Sequence, residues 1–224
     1  TQMSTIQSES DLALRLGLTW PELNEQARTA GARYHVYPLL MGRKKRWIEA
    51  PDAELKMIQR RLLDRVLYEL EPTTWAHGFT KGKSIVSNAE QHCGRQWVVS
   101  LDIKDFFPSV RGRQVAKVLR ELIPDEKECQ LVTDLVTRRD RLPQGAPTSP
   151  HLANLAVRSM DYGLNEMART LDWNYTRYAD DMSFSGDLEP NAILSKAKEI
   201  VEAEGFKLSE RKTTMRGRHQ RQSV

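Results

Sequence analysis

Apolar positions along the chain follow two different periods, and the shorter period predicts five β-strands. Runs rich in β-branched and aromatic residues, bounded by turn-forming residues, are typical of strands. The first two runs are joined through residues 41–43 and predict one hairpin, and the last two predict another with four residues between them. The predicted strands are Tyr34–Leu39, Lys45–Ala50, Trp97–Ile103, Trp173–Arg177 and Met182–Ser185.

The longer period, with apolar residues three and four positions apart, predicts helices between these strands. A capping threonine, Thr19, with a glutamate three residues later begins the first, and glycines at 31 and 205 end the first and last. Residues 142–150 contain three prolines and a glycine, so we expect an irregular loop there. We expect an α+β layout with a mixed or antiparallel sheet and helices at Thr19–Gly31, Asp52–Leu70, Arg113–Leu122, Asp125–Thr137, His151–Thr170 and Asn191–Glu204.

Composition narrows the class of protein. With 224 residues, of which 39% are hydrophobic, the chain can bury a core as one domain or two interleaved ones. The net charge of +4 and the basic clusters at 43–46, 138–141 and 211–221 are compatible with a polyanionic partner. No apolar run reaches membrane-spanning length, the N-terminus has no secretory apolar region, and the two cysteines lack metal-ligand spacing. These features predict a cytoplasmic protein with no membrane partner.

Three acidic residues occupy positions where a carboxylate is energetically unfavourable. Asp102 interrupts a buried, β-branched strand near its carboxyl end, and Asp180 and Asp181 lie side by side at the predicted tip of the second hairpin. Two adjacent acids in a turn are usually solvent-exposed turn residues with no further role. An unpaired buried carboxylate, in contrast, is unfavourable and needs a compensating partner. If the Asp102 strand lies beside the hairpin, three carboxylates converge as ligands for two Mg²⁺ ions that perform in-line phosphoryl transfer. The pattern therefore predicts a nucleotidyl-transfer site.

Three motifs in a fixed order make the chain similar to bacterial reverse transcriptases, and the retron type in particular. They are SLDIKDFFPS at 100–109, LPQGAPTSP at 142–150 and RYADD at 177–181. The resemblance implies a right-hand polymerase of α+β class, in which an antiparallel palm sheet packs on helices. It implies fingers at 31–95 and 111–142, a palm at 96–110 and 143–224, and an N-terminal helical extension at 1–30. We expect no thumb in this chain.

The resemblance also implies roles for the acids. Asp102 and Asp180 match the principal metal ligands, Asp181 matches the third carboxylate, and the backbone carbonyl of Ile103 is a further ligand. Two Mg²⁺ ions per site are implied, for which Mn²⁺ can substitute. Lys212 resembles a late palm lysine that protonates the leaving pyrophosphate, although a salt-bridged surface lysine would look the same in sequence.

A second set of residues is implied to bind the incoming nucleotide. Arg46 matches an arginine over the triphosphate, assisted by one of the two lysines before it. Phe107 resembles a steric gate that excludes a ribose 2′-hydroxyl, with a core phenylalanine as the alternative. Glycine in the 142–150 loop permits close backbone approach, and glutamine there offers amide hydrogen bonds. The implied set comprises Arg46, Lys44, Asp105, Phe106, Phe107, Gln144 and Gly145.

The implied partners are an RNA template and primer, the RNA–DNA hybrid, dNTPs, and a second polypeptide or further segment that supplies a thumb. A group II intron enzyme and a phage-defence enzyme that makes untemplated DNA remain open, since their catalytic residues would look alike. An RNA-dependent RNA polymerase would carry a smaller or polar group at Phe107. A non-catalytic RNA-binding module gives no reason to keep three acids that repel nucleic acid.

Overall fold

The computed structural model of the protein describes residues 5–42 and 44–224, without the side chains of Met41 and Lys44. The described residues contain both helices and antiparallel sheets, which confirms an α+β class. None of the described helices combines the length and the apolar character needed to cross a bilayer. In chain order the elements are α1 (Glu9–Leu16), α2 (Trp20–Thr29), β1 (Tyr34–Met41), β2 (Lys44–Pro51), α3 (Ala53–Arg65), α4 (Ile85–Glu90), β3 (Trp97–Asp102), α5 (Phe106–Ser109), α6 (Gly112–Leu119), α7 (Glu126–Val136), α8 (Ser149–Ala156), α9 (Arg158–Thr170), β4 (Asn174–Tyr178), β5 (Asp181–Gly186), α10 (Asn191–Ala203) and β6 (Thr214–Gly217).

The chain divides into two compact units, each built from two segments. We call them the hairpin unit, Thr1–Glu71 with Phe107–Ala156, and the sheet unit, Pro72–Phe106 with Val157–Val224. The assignment of fingers and palm to particular residues stays a prediction.

The hairpin unit joins a two-stranded sheet to a group of helices. Strands β1 and β2 pair antiparallel from Tyr34 opposite Pro51 to the turn. The buried Gln59 of α3 donates to the Tyr34 hydroxyl at 2.8 Å and to the Leu135 carbonyl of α7 at 2.7 Å. One side chain therefore ties the base of the hairpin to two helices, and α6 packs against α7 and α8 to complete the unit.

The sheet unit contains a four-stranded antiparallel sheet in the order β4-β5-β3-β6. Val98, Val99 and Leu101 of β3 are buried, as the β-branched run predicts. Helix α9 packs on β4 and on α10. The central position of β3 places Asp102 at the end of an interior strand.

Several boundaries differ from the predicted ones. The predicted helix at 151–170 is two helices, broken at Val157, and the one at 52–70 leaves α-helical geometry at Val66 before a short 3-10 turn. Both residues are β-branched valines and 1% exposed; β-branching lowers helix propensity, and tertiary packing holds both residues in non-helical conformations. Helices α1, α4 and α5 and the edge strand β6 were not predicted, because short segments carry little periodic signal.

A buried histidine makes the sheet unit sensitive to acid. The imidazole of His92 contacts two neighbouring strands, with one ring nitrogen 2.8 Å from the Ser185 hydroxyl of β5 and the other 2.7 Å from the Thr176 hydroxyl of β4. Burial, helped by the charge of His77, lowers the pKa of His92 from 6.5 to about 4. Because the unfolded chain takes up the proton at higher pH, the free energy of unfolding should fall between about pH 6.5 and pH 4, by up to about 3 kcal/mol from this residue.

Denaturant unfolding followed across this pH range measures the effect. His92→Gln should lower stability at pH 7 but flatten the decline toward pH 4, because the amide does not titrate. His35→Gln is the matched control, since His35 is exposed. Parallel pH profiles for wild type and His92→Gln would contradict the prediction.

Candidate active site

The turn between β4 and β5 has a strained backbone. Tyr178 pairs with Asp181, so only Ala179 and Asp180 form the turn. Ala179 has a φ of +58°, in the left-handed region that costs a residue with a Cβ roughly 1–2 kcal/mol. The guanidinium of Arg177 donates to the Ala179 carbonyl at 3.0 Å. This hydrogen bond helps to hold the conformation that presents Asp180.

A glycine lies directly against this turn. A Cβ on Gly78 would stand 2.4 Å from the Ala179 nitrogen and 3.0 Å from the Tyr178 carbonyl carbon. Both are backbone atoms, so no side chain could move aside. The neighbouring backbone runs along β4, with the His77 N–H donating to the Arg177 carbonyl at 2.7 Å. Only glycine permits this approach, which supports the turn from one side.

Beneath the turn lies a fully buried ion pair. The Arg177 guanidinium donates from Nε and Nη2 to the two carboxylate oxygens of Asp161 on α9, both at 2.8 Å, and both side chains are 0% exposed. The hydroxyls of Tyr175 and Thr73 each donate to the same carboxylate at 2.7 Å. The bidentate geometry and the added hydrogen bonds are what a buried pair requires. We therefore regard Arg177 as a positioning residue for the turn.

The three predicted acids meet in the sheet unit. Asp102 and Asp181 are direct partners across β3 and β5, and the Ile103 N–H donates to the Asp180 carbonyl at 2.9 Å. Burial, and then the neighbouring charges of Asp180 and Asp102, raise the pKa of Asp181 to about 6. Burial is also the main cause that raises the pKa of Asp102, with Asp180 contributing. The acids are thus close enough to repel one another.

Lys212 supplies the opposite charge. Its ammonium forms an ion pair with Asp102 and lies 3.9 Å from an oxygen of Asp180. The backbone of its segment is tied to the end of β3, because the Ser209 N–H donates to the Asp102 carbonyl at 2.8 Å. The hydrogen bond with Asp102 raises the pKa of Lys212. Sequence reasoning selected all four of these residues, and the structure brings them together.

The donor set fits a hard divalent cation. Carboxylate oxygens are the ligands that Mg²⁺ prefers, and mutual repulsion among the acids favours binding of a cation. Within residues 5–42 and 44–224, no group of three or more His, Cys, Asp and Glu side chains is already arranged as a metal site. Residues Asp102, Asp180 and Asp181 would therefore need to adjust around an ion, and the Lys212 ammonium now contacts the first of them.

A second group of predicted residues lies in the hairpin unit, on β2 and on the loop that packs against it. Arg46 and Ile48 lie two positions apart on β2 and share one face. A Cβ on Gly145, which has a φ of +136°, would stand 2.9 Å from Ile48 Cγ2 and 3.0 Å from the Glu49 carbonyl oxygen. The Glu49 N–H donates to the Gln144 carbonyl at 2.8 Å. The loop with Gln144 and Gly145 therefore packs against the strand that carries the exposed Arg46.

An ion cluster on the other face of β2 fixes this contact. The Glu49 carboxylate, 7% exposed, accepts from Arg138 at 2.6 Å and from Arg141 at 3.3 Å. Arg141 immediately precedes the 142–150 loop, and Arg138 lies three residues before Arg141. Glu49 was not singled out from the sequence, because its partners lie about 90 residues away along the chain.

The remaining predicted residues lie around α5. Asp105 is exposed with a φ of +50°, and Phe107 is half-buried. Phe106 is 4% exposed, with its ring centre 5.7 Å from the Arg177 guanidinium carbon, so its side chain packs beneath the turn. The side chain of Lys44 lies outside the described residues. A nucleotide-binding role for these residues stays a prediction.

Similarity to known proteins agrees with this geometry. A model of the family described as "Reverse transcriptase (RNA-dependent DNA polymerase)" matches residues 41–222, which include the three acids, Lys212 and the 142–150 loop. The chain belongs to the reverse transcriptase family. It is 39% identical over 210 residues to the retron Mx162 reverse transcriptase of Myxococcus xanthus. The matched region covers 80% of this chain and 43% of that relative.

Two further relatives of this reverse transcriptase chain are also retron enzymes. The retron Mx65 reverse transcriptase of Myxococcus xanthus is 36% identical over 199 residues, covering 80% of this chain and 47% of the relative. The retron Ec86 reverse transcriptase of Escherichia coli is 34% identical over 203 residues, covering 88% and 63%. The chain thus spans roughly half the length of the curated relatives that it matches.

Proposed function

We propose that this chain carries the catalytic centre of an RNA-directed DNA polymerase of retron type, which transfers nucleotides by a two-metal mechanism. One observation supports the proposal above the others: β3 and β5 pair so that Asp102 lies opposite Asp181, with Asp180 in the adjoining turn. The match to the reverse transcriptase family and the retron relatives support the choice of reaction.

The acids bind and orient the reacting groups in this proposal. Bound Mg²⁺ would neutralise phosphate charge and lower the pKa of the primer 3′-hydroxyl. Asp102, Asp180 and Asp181 supply carboxylate oxygens, and the Ile103 carbonyl is the proposed backbone ligand. In this proposal Lys212, whose ammonium is ion-paired with Asp102, gives a proton to the leaving pyrophosphate.

The hairpin unit supplies the nucleotide contacts in this proposal. The Arg46 guanidinium binds phosphate oxygens of the dNTP, helped by Lys44 or Lys45. Gln144 and Gly145, packed against the same strand, line the pocket for sugar and base. We assign the fingers to 31–95 and 111–142, the palm to 96–110 and 143–224, and an N-terminal extension to 1–30. The proposed substrates are an RNA template and an RNA–DNA hybrid. A further segment or a second polypeptide would supply the thumb.

Single-nucleotide addition tests the proposal without requiring processive synthesis. Purified chain, a primed RNA template, Mg²⁺ and one labelled dNTP should give a product extended by the nucleotide complementary to the template. Incorporation that ignores the template would support an untemplated defence enzyme instead. RNA binding with no incorporation under any metal would support a non-catalytic binding module and overturn the proposal.

Sugar selection tests the role of Phe107. Phe107→Val should increase the rate of ribonucleotide addition relative to deoxynucleotide addition by about 10- to 100-fold, because the smaller side chain leaves room for a 2′-hydroxyl. The ratio of rNTP to dNTP incorporation by the same enzyme preparation measures this directly. An unchanged ratio, with dNTP addition retained, would remove the gate role from Phe107.

A further inference from the structure

A lysine ammonium contacts the acids that the proposed function assigns to metal ions. Lys212 is ion-paired with Asp102 and lies 3.9 Å from Asp180, although 110 residues separate it from Asp102 along the chain. The side chain of Asp102 is 4% exposed, whereas that of Lys212 is 42% exposed. The acid is thus fixed in the sheet, and the cation reaches it from the solvent side.

The backbone around Lys212 is anchored by hydrogen bonds, whereas its side chain is 42% exposed and is held through the ion pairs of its ammonium. Besides the Ser209 contact to the Asp102 carbonyl, the Lys104 N–H donates to the Lys207 carbonyl at 2.8 Å, so the segment before Lys212 pairs with the chain that continues from β3. A lysine side chain carries a point charge on a flexible stem and has no rigid donor geometry. Its ammonium can therefore leave the carboxylate without disturbing the backbone that carries it.

One ammonium does not balance three carboxylates. Asp102, Asp180 and Asp181 repel one another, and a divalent ion carries twice the charge of Lys212. The ammonium now contacts one oxygen each of Asp102 and Asp180, and an ion bound between these two carboxylates would bring a further positive charge to the same place. Lysine and metal are consequently competitors for the same donors.

We propose that Lys212 is a displaceable internal counter-cation, which stabilises Asp102 and Asp180 side by side before metal binds and must leave Asp102 when a divalent ion arrives. The inference depends on one part of the proposed function, namely that Asp102 and Asp180 are metal ligands. It concerns metal loading and the stability of the metal-free protein, and it is separate from proton donation to pyrophosphate. Removing the ammonium therefore has two opposite effects: the metal-free protein becomes less stable, and its affinity for divalent ions rises.

Metal binding measured without any nucleotide or template tests the inference. We would titrate Mn²⁺ into wild type, Lys212→Met, Lys212→Gln and Lys212→Arg, follow free Mn²⁺ by electron paramagnetic resonance, and record thermal unfolding with and without the ion. Lys212→Met and Lys212→Gln should bind Mn²⁺ about tenfold more tightly than wild type, a factor that corresponds to about 1.4 kcal/mol. Their melting temperatures should be lower without metal and should rise more on adding Mn²⁺. Lys212→Arg keeps the charge and should not gain affinity.

Two controls separate the inference from the proposed function. Lys207→Met removes an exposed lysine from the same segment and should leave Mn²⁺ affinity unchanged. Asp180→Asn removes a proposed ligand and should weaken Mn²⁺ binding. If wild type binds Mn²⁺ and Asp180→Asn does not, but both neutral Lys212 variants bind no more tightly than wild type, the inference is wrong and the metal site stands. If wild type and Asp180→Asn bind Mn²⁺ equally, the metal site and the inference both fail.

Discussion

Asp180→Asn should lower template-directed nucleotide addition by at least about 100-fold while leaving the fold intact. Asparagine has nearly the same shape as aspartate but carries no charge. A bound metal ion stabilises the charge of the transition state by several kcal/mol, and each 1.36 kcal/mol corresponds to a tenfold change in rate. The Asp180 side chain is 36% exposed in the two-residue turn that the Tyr178–Asp181 pair closes, so losing its charge removes little packing. Initial rates of single-nucleotide addition at saturating Mg²⁺ measure the loss.

An acid just beyond β5 provides the matched control for this variant. Asp187 is 51% exposed and paired with Arg95, and it does not belong to the acid cluster of Asp102, Asp180 and Asp181. Asp187→Asn should therefore keep a rate within about threefold of wild type, because an exposed ion pair contributes at most about 1 kcal/mol. Circular dichroism of both variants should match that of wild type. A rate for Asp180→Asn similar to that of Asp187→Asn would show that the acid cluster does not catalyse the reaction.

Arg177→Met should be among the most destabilising single substitutions in the chain. Removing one partner of a fully buried ion pair leaves the other charge without compensation, at a typical cost of about 3–5 kcal/mol. Here the stranded group is the Asp161 carboxylate, which is 0% exposed. The Ala179 carbonyl would also lose its contact with the guanidinium. Urea unfolding at pH 7 should show the midpoint falling with little change in slope.

The control for burial is an arginine on the same helix as Asp161. Arg169 is 76% exposed and forms an exposed ion pair with Glu166 on its own helix turn, so Arg169→Met should change the free energy of unfolding by less than about 0.5 kcal/mol. Adding Asp161→Asn to Arg177→Met removes the stranded charge and should recover part of the lost stability. A cost for Arg177→Met close to that for Arg169→Met would mean that the pair contributes little to the native state.

Local sequence patterns predicted the elements that carry the proposed catalytic acids. The β-branched run at 97–103 is strand β3, and the runs around residues 178–181 are the β4–β5 hairpin. An acid that interrupts a buried strand is informative because its burial needs a reason. The prediction that Asp102 lies beside the hairpin is confirmed by its pairing with Asp181. The precise helix ends at Val66 and Val157 were not predictable, since packing determines them.

The contacts that position the site were not visible in the sequence. Arg177 belongs to the RYADD motif and Gly78 to a segment that resembles the family, but neither the bidentate contact of Arg177 with Asp161 nor the Ala179 backbone against Gly78 follows from these motifs. Each depends on a partner from another segment of the chain. Side-chain type and spacing alone do not identify such partners.

By itself the sequence determined the α+β composition, membership of the reverse transcriptase family, and the choice of Asp102, Asp180, Asp181 and Lys212 as a chemical set, because these follow from local periodicity and ordered motifs. The tertiary structure alone decided that the Lys212 ammonium contacts Asp102, and that a buried ion pair and a glycine hold the turn. Contacts between distant segments depend on strand order and packing, and local sequence patterns do not identify which distant residues come into contact.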